Sequence, residues 1–229
     1  LTLLGPPGVG KTTLAVAVAH QLADQFADGA VFVGLAGVPR SDAVPDAIAQ
    51  ALGFRPAPGE DARRALPGWL GPKSILLVLD NLEHVVGCAA WLAELVAGAP
   101  ALRVLVTSRV ALRARGEQQY PLAPLALPGL APLPALPDLG QVASVRLFVQ
   151  CARAANPAFG LNAGNALAVA ALCHRLDGLP LAIEMAAART YLFPPQALLK
   201  RLVSAGRDPL RWLDQGQAGG HARHQSLQR

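Results

Sequence analysis

The chain has 229 residues, of which 52% are apolar and only 15% charged. This is enough for one large domain, or an ordinary domain with a smaller companion, around a real core. The net charge of +5 hints at nucleic acid, but residues 1–188 carry 13 basic and 13 acidic side chains, so the surplus lies beyond them and the neutral core argues against an electrostatic groove.

Leu1–Leu4 is a short apolar run that ends in a Gly-Pro-Pro-Gly turn. A helix is predicted over Lys11–Phe26, with Leu14, Val18 and Leu22 four apart. Asp28-Gly29 is a turn, and Ala30–Leu35 a buried strand. Asp42–Leu52 is helical, with Val44, Ile48 and Leu52 on one face, and a short helix is expected at Asp61–Leu70. Ser74–Leu79 reads as a fully buried strand, Leu82–Ala97 as a helix, Leu102–Val106 as a fourth strand and Gln118–Pro121 as a short fifth. Continuously apolar strands alternating with helices are the pattern of a parallel sheet covered on both faces. Residues 122–140 form a Pro/Leu/Ala connector, and the six prolines between Pro121 and Pro137 exclude a membrane-spanning helix from this uncharged stretch. Beyond it only helices are expected, at Gln141–Ala155, Asn165–Leu176, Leu181–Thr190 and Pro195–Val203. The fold class is therefore α/β with a small all-α companion. Leu1 opens with strand residues already in place, so the sequence reads as a piece of a longer protein. Three cysteines without metal spacing fit a reducing, cytoplasmic setting.

The chemistry concentrates at three strand ends. Gly5-Pro6-Pro7-Gly8-Val9-Gly10-Lys11-Thr12 matches G-x-x-x-x-G-K-[ST] between a strand and a helix. Glycines let backbone N–H groups curl around a phosphate, and the helix N-terminus adds partial positive charge. Lys11 is placed to reach the β- and γ-phosphates and Thr12 to offer a hydroxyl to Mg²⁺, with Thr13 completing the first turn. The strand Ile75–Leu79 delivers Asp80, a candidate second Mg²⁺ ligand or else a helix cap. Glu83 either orients the attacking water or is an exposed first-turn glutamate. Val104–Ser108 ends in two hydroxyls followed by Arg109, a candidate γ-phosphate sensor at the ligand-binding end of a parallel sheet. His20, His84 and His174 are read as ordinary helix residues, Trp69, Trp91 and Trp212 as packing groups, and Phe26, Phe32 and Phe148 as core.

Taken in order, Gly-Pro-Pro-Gly-Val-Gly-Lys-Thr-Thr, Leu-Val-Leu-Asp-Asn-Leu-Glu-His-Val and Val-Thr-Ser-Arg resemble the STAND class of P-loop ATPases, which contains the NB-ARC domains of apoptotic and plant immune regulators. The Leu-Asp-Asn-Leu-Glu-His segment resembles the bacterial branch found in multidomain transcriptional regulators of the LuxR and antibiotic-regulator types. Gly178-Leu179-Pro180-Leu181 is similar to the motif of the family's helical lid, whose proline packs against adenine, and Arg223–Leu227 is similar to the segment that opens its winged-helix domain. The resemblance implies a sheet in the order 5-1-4-3-2 over residues 1–121, a linker at 122–140, a lid at 141–203, and at 204–229 a further linker with the truncated start of a winged helix. It implies an ATP/ADP switch with Mg²⁺ and slow hydrolysis. The implied partners are other domains of the same chain: the winged helix, a sensor and a DNA-binding output domain. Nucleotide-dependent self-association is a further implication; membrane binding and direct nucleic-acid contact by this piece are not expected. Many relatives carry a second acidic residue after the Mg²⁺ aspartate, where this chain has Asn81. That favours a second possibility, a non-hydrolysing ADP-binding module. A third, an AAA+-like nucleic-acid-associated ATPase, is disfavoured by the neutral core and the lack of a second arginine motif.

Overall fold

The computed structural model describes residues 1–204. The Arg223–Leu227 segment and Trp212 lie outside the described residues. The chain divides into two compact units, one spanning Leu1–Ala123 and the other beginning at Pro124.

The first unit is built on five parallel strands: β1 (Thr2–Leu4), β2 (Ala30–Gly34), β3 (Ile75–Asp80), β4 (Leu102–Ser108) and β5 (Gln119–Pro121). Their spatial order is β2-β3-β4-β1-β5, the implied 5-1-4-3-2 read from the other edge. The unbroken apolar run of β3 has a simple cause: both faces of the sheet are covered. Ile75, Leu77 and Leu79 point into a core shared with α2 (Val44–Ala51), α3 (Ala62–Leu70) and α4 (Ala89–Gly98). Leu76 and Val78 point the other way, to Leu3, Leu105 and α1 (Lys11–Leu22). Phe32, expected in the core, is 45% exposed, because β2 is an edge strand.

The helix expected from Leu82 does not begin there. Residues Leu82–His84 and Val86–Cys88 are 3₁₀ turns, and α4 starts only at Ala89. Leu82, Val85, Cys88 and Trp91 are all buried at a spacing of three, the repeat of a 3₁₀ turn. Asn81, in the left-handed conformation at φ 62° and ψ 48°, breaks the chain direction before them.

In the second unit, α6 (Ala143–Ala155), α7 (Ala166–Arg175), α8 (Pro180–Ala188) and α9 (Pro195–Ser204) close around Phe148, Val169, Leu172, Ile183 and Leu198. The proline-rich stretch is not an open linker. From Pro124 it belongs to this unit: Leu125 and Leu133 pack on its core. The Leu125 amide donates to Gly178 O (3.0 Å), and Ser144 Oγ donates to Ala126 O (2.7 Å). Residues Leu136–Gln141 form a further short helix, α5. Gly178 sits at φ 65°, and a Cβ there would strike the Leu125 carbonyl, so the Gly-Leu-Pro-Leu segment has a local packing reason for its glycine. Pro180 then opens α8, where its missing N–H costs nothing.

Candidate functional site

In a parallel sheet every strand ends at the same edge, and β3, β4 and β1 are neighbours. The loops after these three strands therefore meet. After β1, residues 5–10 wrap toward the start of α1. Gly8 and Gly10 hold φ values of 77° and 98°, which a side chain would strain. Gly5 is tight as well, since a Cβ would stand 2.9 Å from Val9 Cγ1 and 3.0 Å from Leu122 O. Val9 is buried and anchors the loop, whereas Pro6, Pro7 and Thr13 are exposed around it. Gly10 is the N-cap of α1 and makes no side-chain cap bond, which leaves first-turn amides able to receive an anion.

Lys11 is buried, and its Nζ donates to Gly5 O at 2.8 Å and Pro6 O at 3.1 Å. An ammonium has three protons, so one remains for a ligand in the loop. Burial pushes the Lys11 pKa down; Glu83 and Asp80 oppose this and Arg109 adds to it. All four charged side chains thus share one electrostatic neighbourhood.

Asp80 does not cap the following turn. Its Oδ1 accepts from Thr12 Oγ1 at 2.7 Å and from Thr107 Oγ1 at 2.6 Å. A hydroxyl and a carboxylate held in contact form a hard oxygen donor pair, which suits Mg²⁺. Glu83 is not a solvated first-turn residue either. Its Oε1 lies 2.9 Å from Arg109 Nε, while Oε2 is buried without a hydrogen-bond partner. Arg109 itself is about half exposed. Lys11, Thr12, Asp80, Glu83 and Arg109 therefore converge; Pro180 belongs to the second unit.

Two residues with no role assigned from sequence take part. Thr107, buried at the end of β4, links Asp80 to the Asn81 amide, which donates to its Oγ1 at 3.0 Å. The two hydroxyls at that strand end were the available signal. Glu117 fastens the loop after Arg109 by accepting from the Leu112 and Arg113 amides at 3.0 and 2.9 Å. Burial alone would raise its pKa, but hydrogen bonds from Leu112, Thr2, Gln119 and Arg113 bring it below the ordinary glutamate value.

The family described as ATPase family associated with various cellular activities (AAA) matches residues 1–50. The matched residues hold β1, the phosphate loop and α1 of this chain. An uncharacterised protein of Mycobacterium tuberculosis is 38% identical over 203 residues, covering 88% of this chain and 48% of that protein. A second protein of that organism, named as a candidate HTH-type transcriptional regulator, is 36% identical over 99% of this chain and 24% of its own length. The regulatory protein AfsR of Streptomyces griseus is 35% identical over 81% of this chain and 18% of its own. The chain thus spans about half the length of the first relative and smaller parts of the others. Among solved structures, Cdc6p of Pyrobaculum aerophilum covers 94% of this chain, with a TM-score of 0.61 and 14% identity. That likeness extends to the fold alone. No helix among the described residues is long and apolar enough to cross a membrane.

Proposed function

We propose that this P-loop ATPase domain is an ATP/ADP switch of the STAND type, working with Mg²⁺ inside a larger transcriptional regulator. The observation that carries the reading is the Glu83–Arg109 ion pair, formed beside the Thr12–Asp80 contact. In this reading the loop amides and Lys11 hold the phosphates. Thr12 and Asp80 hold Mg²⁺, which neutralises charge on the β- and γ-phosphates. Arg109, half exposed, turns to the γ-phosphate when ATP is present, and Glu83 is released from it. The unpartnered Oε2 of Glu83 then accepts a hydrogen bond from the attacking water. That water forms the new oxygen–phosphorus bond and gives its proton to Glu83 Oε2, as the bond to the β–γ bridging oxygen breaks and ADP and inorganic phosphate depart. Loss of the γ-phosphate lets Arg109 and Glu83 pair again. The energy available to such a switch equals the difference in affinity of the two nucleotides for the two states.

The regulator relatives support the larger setting, in which the partners are a winged helix, a sensor and a DNA-binding domain of the same chain, in the cytoplasm. Nucleotide-dependent self-association belongs to the same proposal. The pair also favours a second reading, an ADP-holding module without turnover, because Arg109 occupies Glu83 and the residue after Asp80 is the neutral Asn81. Phosphate release from ATP by the full-length protein separates the two. Release above the Lys11→Ala background supports the switch. Release no faster than that background leaves the holding module.

A further inference from the structure

We propose that Thr107 is the positioning residue for the Mg²⁺ arm of the site: its hydroxyl orients the Asp80 carboxylate for the cation. This rests on the reading of Thr12 and Asp80 as the Mg²⁺ pair. Leu79 is in register with Val106, so Asp80 and Thr107 are the next residues along two hydrogen-bonded parallel strands. Thr107 is fully buried. A threonine hydroxyl has one proton to give, and here it goes to Asp80 Oδ1 at 2.6 Å. The Thr107 Oγ1 in turn accepts from the Asn81 amide at 3.0 Å. With donor and acceptor both engaged and a β-branched χ1 that resists rotation, the hydroxyl has no freedom to turn away. Its placement across the β3–β4 boundary leaves Asp80 no independent rotamer. It also fixes the left-handed Asn81 turn, from which Glu83 reaches Arg109.

Thr12 donates to the same Oδ1 from the opposite element, α1. The two hydroxyls have different duties. Thr12 stands on the loop-and-helix side, where the phosphates bind, and is half-buried. Thr107 stands behind the carboxylate in the sheet and is sealed from solvent. A group in the second position tunes a cation site without touching the cation, and removing such a partner typically weakens metal affinity by about 10- to 100-fold.

The test is calorimetric titration of ATP with excess Mg²⁺ and again with EDTA, on the wild type, Thr107→Val and Thr107→Ser. The quantity read is the ratio of the two affinities, which reports the cation arm without turnover. Thr107→Val should lower that ratio about tenfold or more with the EDTA affinity unchanged, and Thr107→Ser, which keeps the hydroxyl, should restore it. A Thr107→Val protein with the wild-type ratio overturns the proposal, as does one that loses both affinities equally. Thr107→Ala, which removes the hydroxyl without adding a branch, provides the same reading should the valine variant not fold: an unchanged ratio overturns the proposal, a lowered one supports it. A wild type that binds ATP with no Mg²⁺ enhancement refutes the Mg²⁺ assignment itself, an outcome distinct from failure at Thr107.

Discussion

In the second unit the buried hydroxyls are used up on nearby carbonyls. Ser144 gives its proton to Ala126 O and Thr190 gives its proton to Ala187 O. A cleft of about 550 Å³ on this unit is lined by Asn165 and Gln196, whose amides donate to Gly160 O and Gly164 O. In the first unit the charged groups at the strand ends retain capacity. Lys11 keeps a third proton, Glu83 Oε2 has no partner, and Arg109 has solvent on one side. A folded chain satisfies its buried polar atoms unless something else is to satisfy them. The contrast assigns packing to the neutral hydroxyls of the second unit and ligand chemistry to the charged cluster of the first.

The sharpest way to break that contrast is Lys11→Ala. If the lysine serves a ligand, ATP and ADP affinity should both fall at least about 100-fold, roughly 3 kcal/mol, while the melting temperature moves little. Removing a buried ammonium also removes its desolvation cost. Equal nucleotide affinity in the variant and the wild type, by calorimetry, would refute the site; a collapsed melting temperature would make Lys11 a structural residue.

Gly178→Ala tests the other side. The residue has positive φ, and a Cβ would meet a backbone carbonyl that cannot swing aside. The expected loss is about 2–3 kcal/mol of stability, read by denaturant melts of the wild type and the variant. A melt unchanged by the alanine would mean that the Leu125–Gly178 strap yields freely, and that this unit is not held by close packing.

How far these contrasts could be read from the amino-acid sequence depends on the range of the interaction. The parallel sheet follows from apolar strands whose faces are both covered and its order from the resemblance to the STAND class, while the positions of Lys11, Thr12 and Asp80 follow from local spacing. The 3₁₀ turns after Asp80 were hidden because burial at 82, 85, 88 and 91 also fits a helix, which places residues three apart on one side. Leu125 and Leu133 were hidden among prolines that suggest a linker. The Glu83–Arg109 and Asp80–Thr107 pairs each join residues more than 25 positions apart, through the register of β3 on β4 and the handedness of Asn81. No periodicity carries that information.

Arg109→Ala sharpens the division inside the first unit. If Arg109 exchanges Glu83 for the γ-phosphate, ATP affinity should fall about tenfold, or 1.4 kcal/mol, with ADP affinity within about twofold of wild type. Equal losses for both nucleotides would make Arg109 a general anchor of the site and remove the exchange from the proposed switch.

The smallest effect concerns the loop that follows Arg109. Glu117 holds it through two backbone amides, and those bonds keep the carboxyl pKa below its ordinary value. A carboxyl with a depressed folded-state pKa adds stability above the ordinary glutamate range. It loses that contribution as pH falls through the folded value, because the unfolded chain then takes up the proton first. Glu117→Gln keeps the shape and one acceptor but not the charge. At pH 7 the variant should be about 1 kcal/mol less stable, and the gap should narrow as pH falls below the ordinary glutamate range. The check is parallel melts of both proteins at pH 7 and pH 3.5. A gap that stays constant with pH would mean that shape, and not charge, closes the loop, which would weaken the assignment of charged ties to the first unit.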